Sequence, residues 1–183
     1  MVAERVMHFL GGTAEEILER RARSLALEAA EEESPDRLSM LLFRIGAEWY
    51  AVYVRDVREI FQDYAVTPVP CTPPFILGVT NVRGEILSVT DPAQLMGLRT
   101  IAATNGAQPP AVVISSGGVA TALVTDEIGD IVEVPQSAVE PPVSIIDRAQ
   151  AEFVAASVSV DDTMVGLLNV ERVLEPVGSA NRH

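Results

Sequence analysis

The sequence predicts an all-β domain, a sandwich or barrel of short strands. Three observations predict it. From Leu38 onward, apolar residues alternate with polar or smaller ones. Eleven of the 12 prolines fall between Pro68 and Pro176 and cut the chain into short pieces. The 183 residues are 48% hydrophobic, enough for a substantial core.

The first 37 residues stand apart, with nine acidic residues and five arginines. Thr13-Ala14-Glu15-Glu16 is a capping-box pattern, and Glu16 with Arg20 and Glu19 with Arg23 are acid-first i,i+4 pairs. These predict a helix from about Ala14 to Glu32, stopped before Pro35. Ile17, Leu18 and Leu25 give it a narrow apolar face, to dock on a partner or on its own barrel.

Leu41, Phe43 and Ile45, then Gly46-Ala47, then Tyr50, Val52 and Val54 read as a hairpin with one buried face. Further strands are expected at 76–81, 85–90, 111–116, 119–125, 128–134, 152–160 and 163–169. Asp91-Pro92-Ala93-Gln94-Leu95-Met96-Gly97 has an N-cap Asp, Pro at the first helical position and Gly past the end, a short helix. One more helical turn is expected over Val170 to Leu174. No repeat of 20 to 50 residues is visible.

Composition excludes most chemistry. The net charge of -13 argues against a nucleic-acid partner. All 13 basic residues are Arg, so lysine Schiff bases and P-loop lysines are excluded. The histidines are His8 and His183, and Cys71 is the single cysteine, so no metal or other cofactor is expected. Residues 100–125 are uncharged, but Asn105-Gly106, Pro109-Pro110 and Gly117-Gly118 break any membrane helix. No signal peptide is legible, and a cytoplasmic protein without direct membrane insertion is expected.

The most informative stretch runs from Pro73 to Leu87: Phe75-Ile76-Leu77-Gly78-Val79-Thr80-Asn81-Val82-Arg83-Gly84-Glu85-Ile86-Leu87. It reads as strand, tight turn, strand, with Gly84 in the turn and Arg83 at its tip. This block, followed by Asp91, resembles the CheW family of bacterial chemotaxis coupling proteins. Glu48 to Val52, Val57-Arg58-Glu59-Ile60, Val124 to Ile128 and Met164 to Leu174 resemble further family segments in the family's order. Ser88 and Thr90 depart from the pattern, standing where the family usually has Pro and an apolar β-branched residue.

The resemblance implies two SH3-like β-barrel subdomains sharing a hydrophobic core over residues 38–178, after the helical extension 1–37 and before a tail 179–183. It implies a non-catalytic adaptor that joins the cytoplasmic tips of chemoreceptors to the regulatory domain of the histidine kinase CheA. Arg83 is then a partner contact, and the segment that holds Val57, Glu59 and Ile60 helps form partner surfaces. The plain alternative puts Val57 and Ile60 in the core and Glu59 in solvent. Asn81 ties down the turn, and Gly78 and Gly84 serve either a close partner approach or turn and bulge geometry. Two other readings remain: the same module in a type IV pilus or other kinase pathway, and a small β-barrel enzyme using carboxylates such as Glu85 with Asp91. Asp126, Glu127 and Asp130 are acidic but lack the oxygen count of a Ca²⁺ loop.

Overall fold

The computed structural model describes residues 36–98, 108–142 and 148–180. The expected helix over Ala14 to Glu32 and residues 181–183 of the expected 179–183 tail lie outside them. The described strands are β1 (Arg37–Ile45), β2 (Glu48–Tyr53), β3 (Val57–Phe61), β4 (Ile76–Val82), β5 (Glu85–Thr90), β6 (Ala111–Ser116), β7 (Val119–Val124), β8 (Glu127–Pro135), β9 (Val139–Glu140), β10 (Val154–Val160) and β11 (Thr163–Leu168). The described α-helices are α1 (Pro92–Leu95), α2 (Arg148–Ala151) and α3 (Val170–Ala180). Single 3-10 turns at Val54–Asp56 and Gln136–Ala138 link β2 to β3 and β8 to β9.

The strands form two sheets, ordered β8-β1-β2-β11-β10-β9 and β3-β6-β7-β5-β4. Alternation along each strand sends side chains to two different cores. One face of the first sheet buries Met40, Ala51, Val134, Val158, Val165 and Leu167 in its own interior. The second sheet does the same with Val89, Ala111 and Ala122, flanked by Phe61 and Tyr64. The opposite faces meet in a shared core: Phe43, Tyr50 and Val52 from the first sheet, Val112, Ile114 and Leu123 from the second. Full burial of each large apolar side chain contributes about 1.5–3 kcal/mol, so the shared core welds the two sheets into one folding unit.

Both short helices follow the sequence reading in kind. Asp91 caps α1, its Oδ1 accepting from the Ala93 and Gln94 amides at 2.9 and 3.3 Å. α3 is longer than the single turn expected and runs through Pro176. Its buried residues Val170, Val173, Leu174 and Val177 are spaced i, i+3, i+4, i+7. Burial of that stripe outweighs the backbone bond that the proline removes. Three elements went unpredicted, β3, β9 and α2, each five residues or fewer.

The two halves are equivalent, although no repeat shows in the sequence. Hairpin β1-β2 turns at Gly46 (φ 62°) and hairpin β6-β7 at Gly117 (φ 57°). Hairpin β4-β5 has a register shift between Ile76 and Gly78, and hairpin β10-β11 has one between Val154 and Ala156. Their two-residue turns, Arg83-Gly84 and Asp161-Asp162, take positive φ throughout, the type I′ pattern that suits strand twist. The Asp91 amide donates to Phe75 O and the Asn169 amide to Phe153 O, both at 2.8 Å. Each second hairpin pairs in parallel with the first hairpin of the other half, β5 on β7 and β11 on β2.

Candidate functional site

The second sheet begins at β3 and ends at β4, and side chains close the gap between its edges. Arg58 and Glu59 lie on β3; Arg83 and Glu85 lie at the tip of hairpin β4-β5. Arg83 Nη2 and Nε reach Glu59 Oε1 at 2.8 and 2.9 Å. Arg58 grips Glu85 with two bonds, Nη2 to Oε2 at 2.6 Å and Nη1 to Oε1 at 3.2 Å. The four residues, with Val82, Leu87 and Val113, line a small cleft at the mouth of the second barrel. The Arg58 hydrogen bond holds the Glu85 carboxyl below its usual value, and the Glu85 bond raises Arg58. The pairing thus favours the charged form of both Arg58 and Glu85.

A bulge explains who faces where. Val57 pairs with Ile114, but Glu59 pairs with Val113, so Arg58 is the extra residue. Cross-strand partners share a face. Val57 thus packs on the shared core beside Ile114, while Glu59 turns with Val113 towards the barrel mouth. The plain alternative is corrected at two residues. Ile60 is 42% exposed, because it lies on an edge strand where the shared-core face runs out. Glu59 is not free in solvent: Arg83 covers it and leaves its side chain 25% exposed.

The remaining expected residues fall into place individually. Asn81 Oδ1 accepts from the Gly84 amide at 2.8 Å and braces the turn. Gly84 has φ 90° and nothing within 4 Å of an added Cβ, so backbone conformation alone asks for glycine there. Gly78 has φ 150°, and an added Cβ would lie 2.3 Å from Thr67 O. Its own chain makes that approach: the Thr67 and Val79 amides each donate to the other's carbonyl, at 2.8 and 2.9 Å. Arg83 takes φ 51°, and its side chain is 82% exposed, open to a partner beyond Glu59.

The carboxylate readings come apart. Glu85 opens β5, and Asp91 follows its far end as a helix cap, so the two do not face one substrate. Asp126 accepts from the Gly46 amide at 2.5 Å, and Glu127 pairs with Arg44 at 3.0 Å. No group of metal-ligating residues occurs among the described residues. Sequence reasoning missed Arg58 and Glu85 as parts of the mouth. Their signal was present: alternating Arg-Glu and Arg-x-Glu pairs in two segments that only the barrel's closure brings together. It also missed Ile86, 63% exposed on β5.

The CheW-like domain model matches residues 39–177. The probable chemotaxis protein CheW of Rhizobium etli is 27% identical over 140 residues, covering 76% of this chain and 89% of that protein. Protein FrzA of Myxococcus xanthus is 29% identical, covering 84% and 92%. The crystal structure of the scaffolding protein TtCheW from Thermoanaerobacter tengcongensis superposes with a TM-score of 0.64 at 26% identity, covering 72% of this chain and 88% of that one. The likeness extends over both sheets, so the fold is the two SH3-like barrels on a shared core expected from the sequence. The chain belongs to the CheW-like family and is a non-catalytic adaptor of chemotaxis signalling.

Proposed function

We propose that this chain couples chemoreceptor tips to the regulatory domain of the histidine kinase CheA, with Arg83 as a contact residue. The family match over residues 39–177 carries the reading. The barrel mouth supports it. Arg83 is exposed yet anchored, so little side-chain freedom is lost when its guanidinium meets a partner carboxylate or carbonyl. Glu59, Asn81 and Gly84 act by shaping that mouth, Val57 and Gly78 by holding β3 and β4 in place, and Ile60 by direct apolar contact. Coupling is thermodynamic: the chain holds two partners in register, and their binding equilibria are linked. The chain would act in the cytoplasm at receptor arrays; among the described residues no helix is long and apolar enough to cross a membrane. Residues 1–37 are an N-terminal extension to the 38–178 domain, and the tail expected from 179 begins inside α3, which runs to Ala180.

Titrating the isolated kinase regulatory domain into the full chain tests the reading. Binding in the micromolar range is expected. No binding at high micromolar concentration to either the kinase domain or receptor tips contradicts it.

A further inference from the structure

The equivalence of the two halves poses a pairing problem. β5 lies on β7 and β11 on β2, yet each hairpin has an equivalent strand to dock on within its own half. The central pairs do not discriminate. Val89 sits opposite Ala122 and Leu167 opposite Ala51; exchanging the strands again sets Val and Leu against Ala. The flanking positions differ in kind. At one junction Ser88 opposes Thr121, and at the other Gly166 opposes Tyr50.

At the first junction three buried hydroxyls complete one another. Thr121 donates its one proton to the Ser88 carbonyl oxygen at 2.9 Å. Its hydroxyl oxygen then accepts from Ser88 Oγ at 3.0 Å and Thr90 Oγ1 at 2.8 Å. Ser88, Thr90 and Thr121 are all buried. At the second junction a Cβ on Gly166 would come within 3.2 and 3.3 Å of the Tyr50 ring. Docking β5 on β2 would press Ser88 into that ring and bury the Thr90 hydroxyl against Val52. Docking β11 on β7 would set Gly166 and Leu168 beside Thr121 and strip its oxygen of both donors. Each wrong pairing thus combines lost hydrogen bonds with a steric or unpaired polar cost.

We infer that the Ser88-Thr90-Thr121 hydroxyl triad and the Gly166-Tyr50 contact form a pairing code that sends each hairpin to the opposite half. The departures at Ser88 and Thr90 are one side of that code, with Thr121 as their partner.

The test refolds the full chain from urea and reads methyl contacts from Val89 by NMR. Thr121→Val lowers the urea midpoint, since two buried donors lose their acceptor. Ser88→Ala/Thr90→Val/Thr121→Val regains the midpoint and shows Val89 mainly beside Ala122, because a Cβ at 88 still disfavours β2, where the Tyr50 ring would have to shift by a few tenths of an ångström. Ser88→Gly/Thr90→Val/Thr121→Val removes both bars and shows Val89 beside Ala122 and Ala51 in separate populations. The code is overturned if this last variant shows Val89 beside Ala122 only or beside neither, or if the three single losses simply add.

Discussion

Arg83 and Glu59 come from opposite edges of one sheet and meet in an ion pair, two guanidinium nitrogens on a single carboxylate oxygen at 2.8 and 2.9 Å. The pair closes the mouth of the second barrel and holds the proposed contact arginine in place. At 82% exposure, Arg83 is worth little to folding, about 0–1 kcal/mol. Arg83→Glu is expected to leave the thermal melt nearly unchanged and to weaken kinase-domain binding about tenfold or more. A parallel melt and calorimetric titration check this; unfolding of the variant would make Arg83 structural.

Gly78 and Gly84 separate backbone need from space. Gly78→Ala sets a methyl 2.3 Å from Thr67 O in a strained conformation, and a loss of about 3 kcal/mol or more is expected. Gly84→Ala meets nothing within 4 Å, so only its positive φ matters, at about 1–2 kcal/mol. Urea unfolding of the two variants measures the difference.

The Arg58-Glu85 pair gives stability a pH dependence. Glu85 is depressed in the folded state by its Arg58 hydrogen bond. Its contribution is therefore present above the unfolded carboxylate value, roughly 4.3, and is lost as pH falls through the lower folded value. Between pH 6 and pH 3 the wild-type urea midpoint should fall more than that of Glu85→Gln, and salt should shrink the gap. Equal slopes in the two proteins would show the pair to be idle.

Val177 tests the last turn of α3, beyond the point where the sequence suggested the helix ends. It is fully buried. Val177→Ala removes two methyl groups from a packed site, and a loss of about 2 kcal/mol is expected by urea unfolding. A loss below a few tenths would mean that the turn after Pro176 does not pack.

The sequence carried the first hairpin through the alternation of Leu41, Phe43 and Ile45, and α1 through Asp91, Pro92 and Gly97. Those signals are local. Segment β3 was hidden because its bulge at Arg58 breaks the two-residue period, which also misplaced Glu59. The end of α3 was hidden because Pro176 is a local stop signal, while the burial of Val177 is a tertiary fact. The equivalence of the halves was hidden for a different reason. Matching positions keep geometry but change chemistry: Arg83-Gly84 against Asp161-Asp162, Ser88 against Gly166, Thr121 against Tyr50. Only isolated residues, such as Phe75 with Phe153 and Ala51 with Ala122, stay identical. Arg58 and Glu85 could be read as charged residues in the sequence, but their meeting depends on the sheet curling until its edges face.

An adaptor must hold two partners at once, and that is the claim to measure. A receptor-tip fragment should be titrated calorimetrically into the full chain already saturated with the kinase regulatory domain. The account predicts a second binding event of its own and a ternary complex by size exclusion. Displacement of the kinase domain by the receptor tip, or no second event, would contradict it.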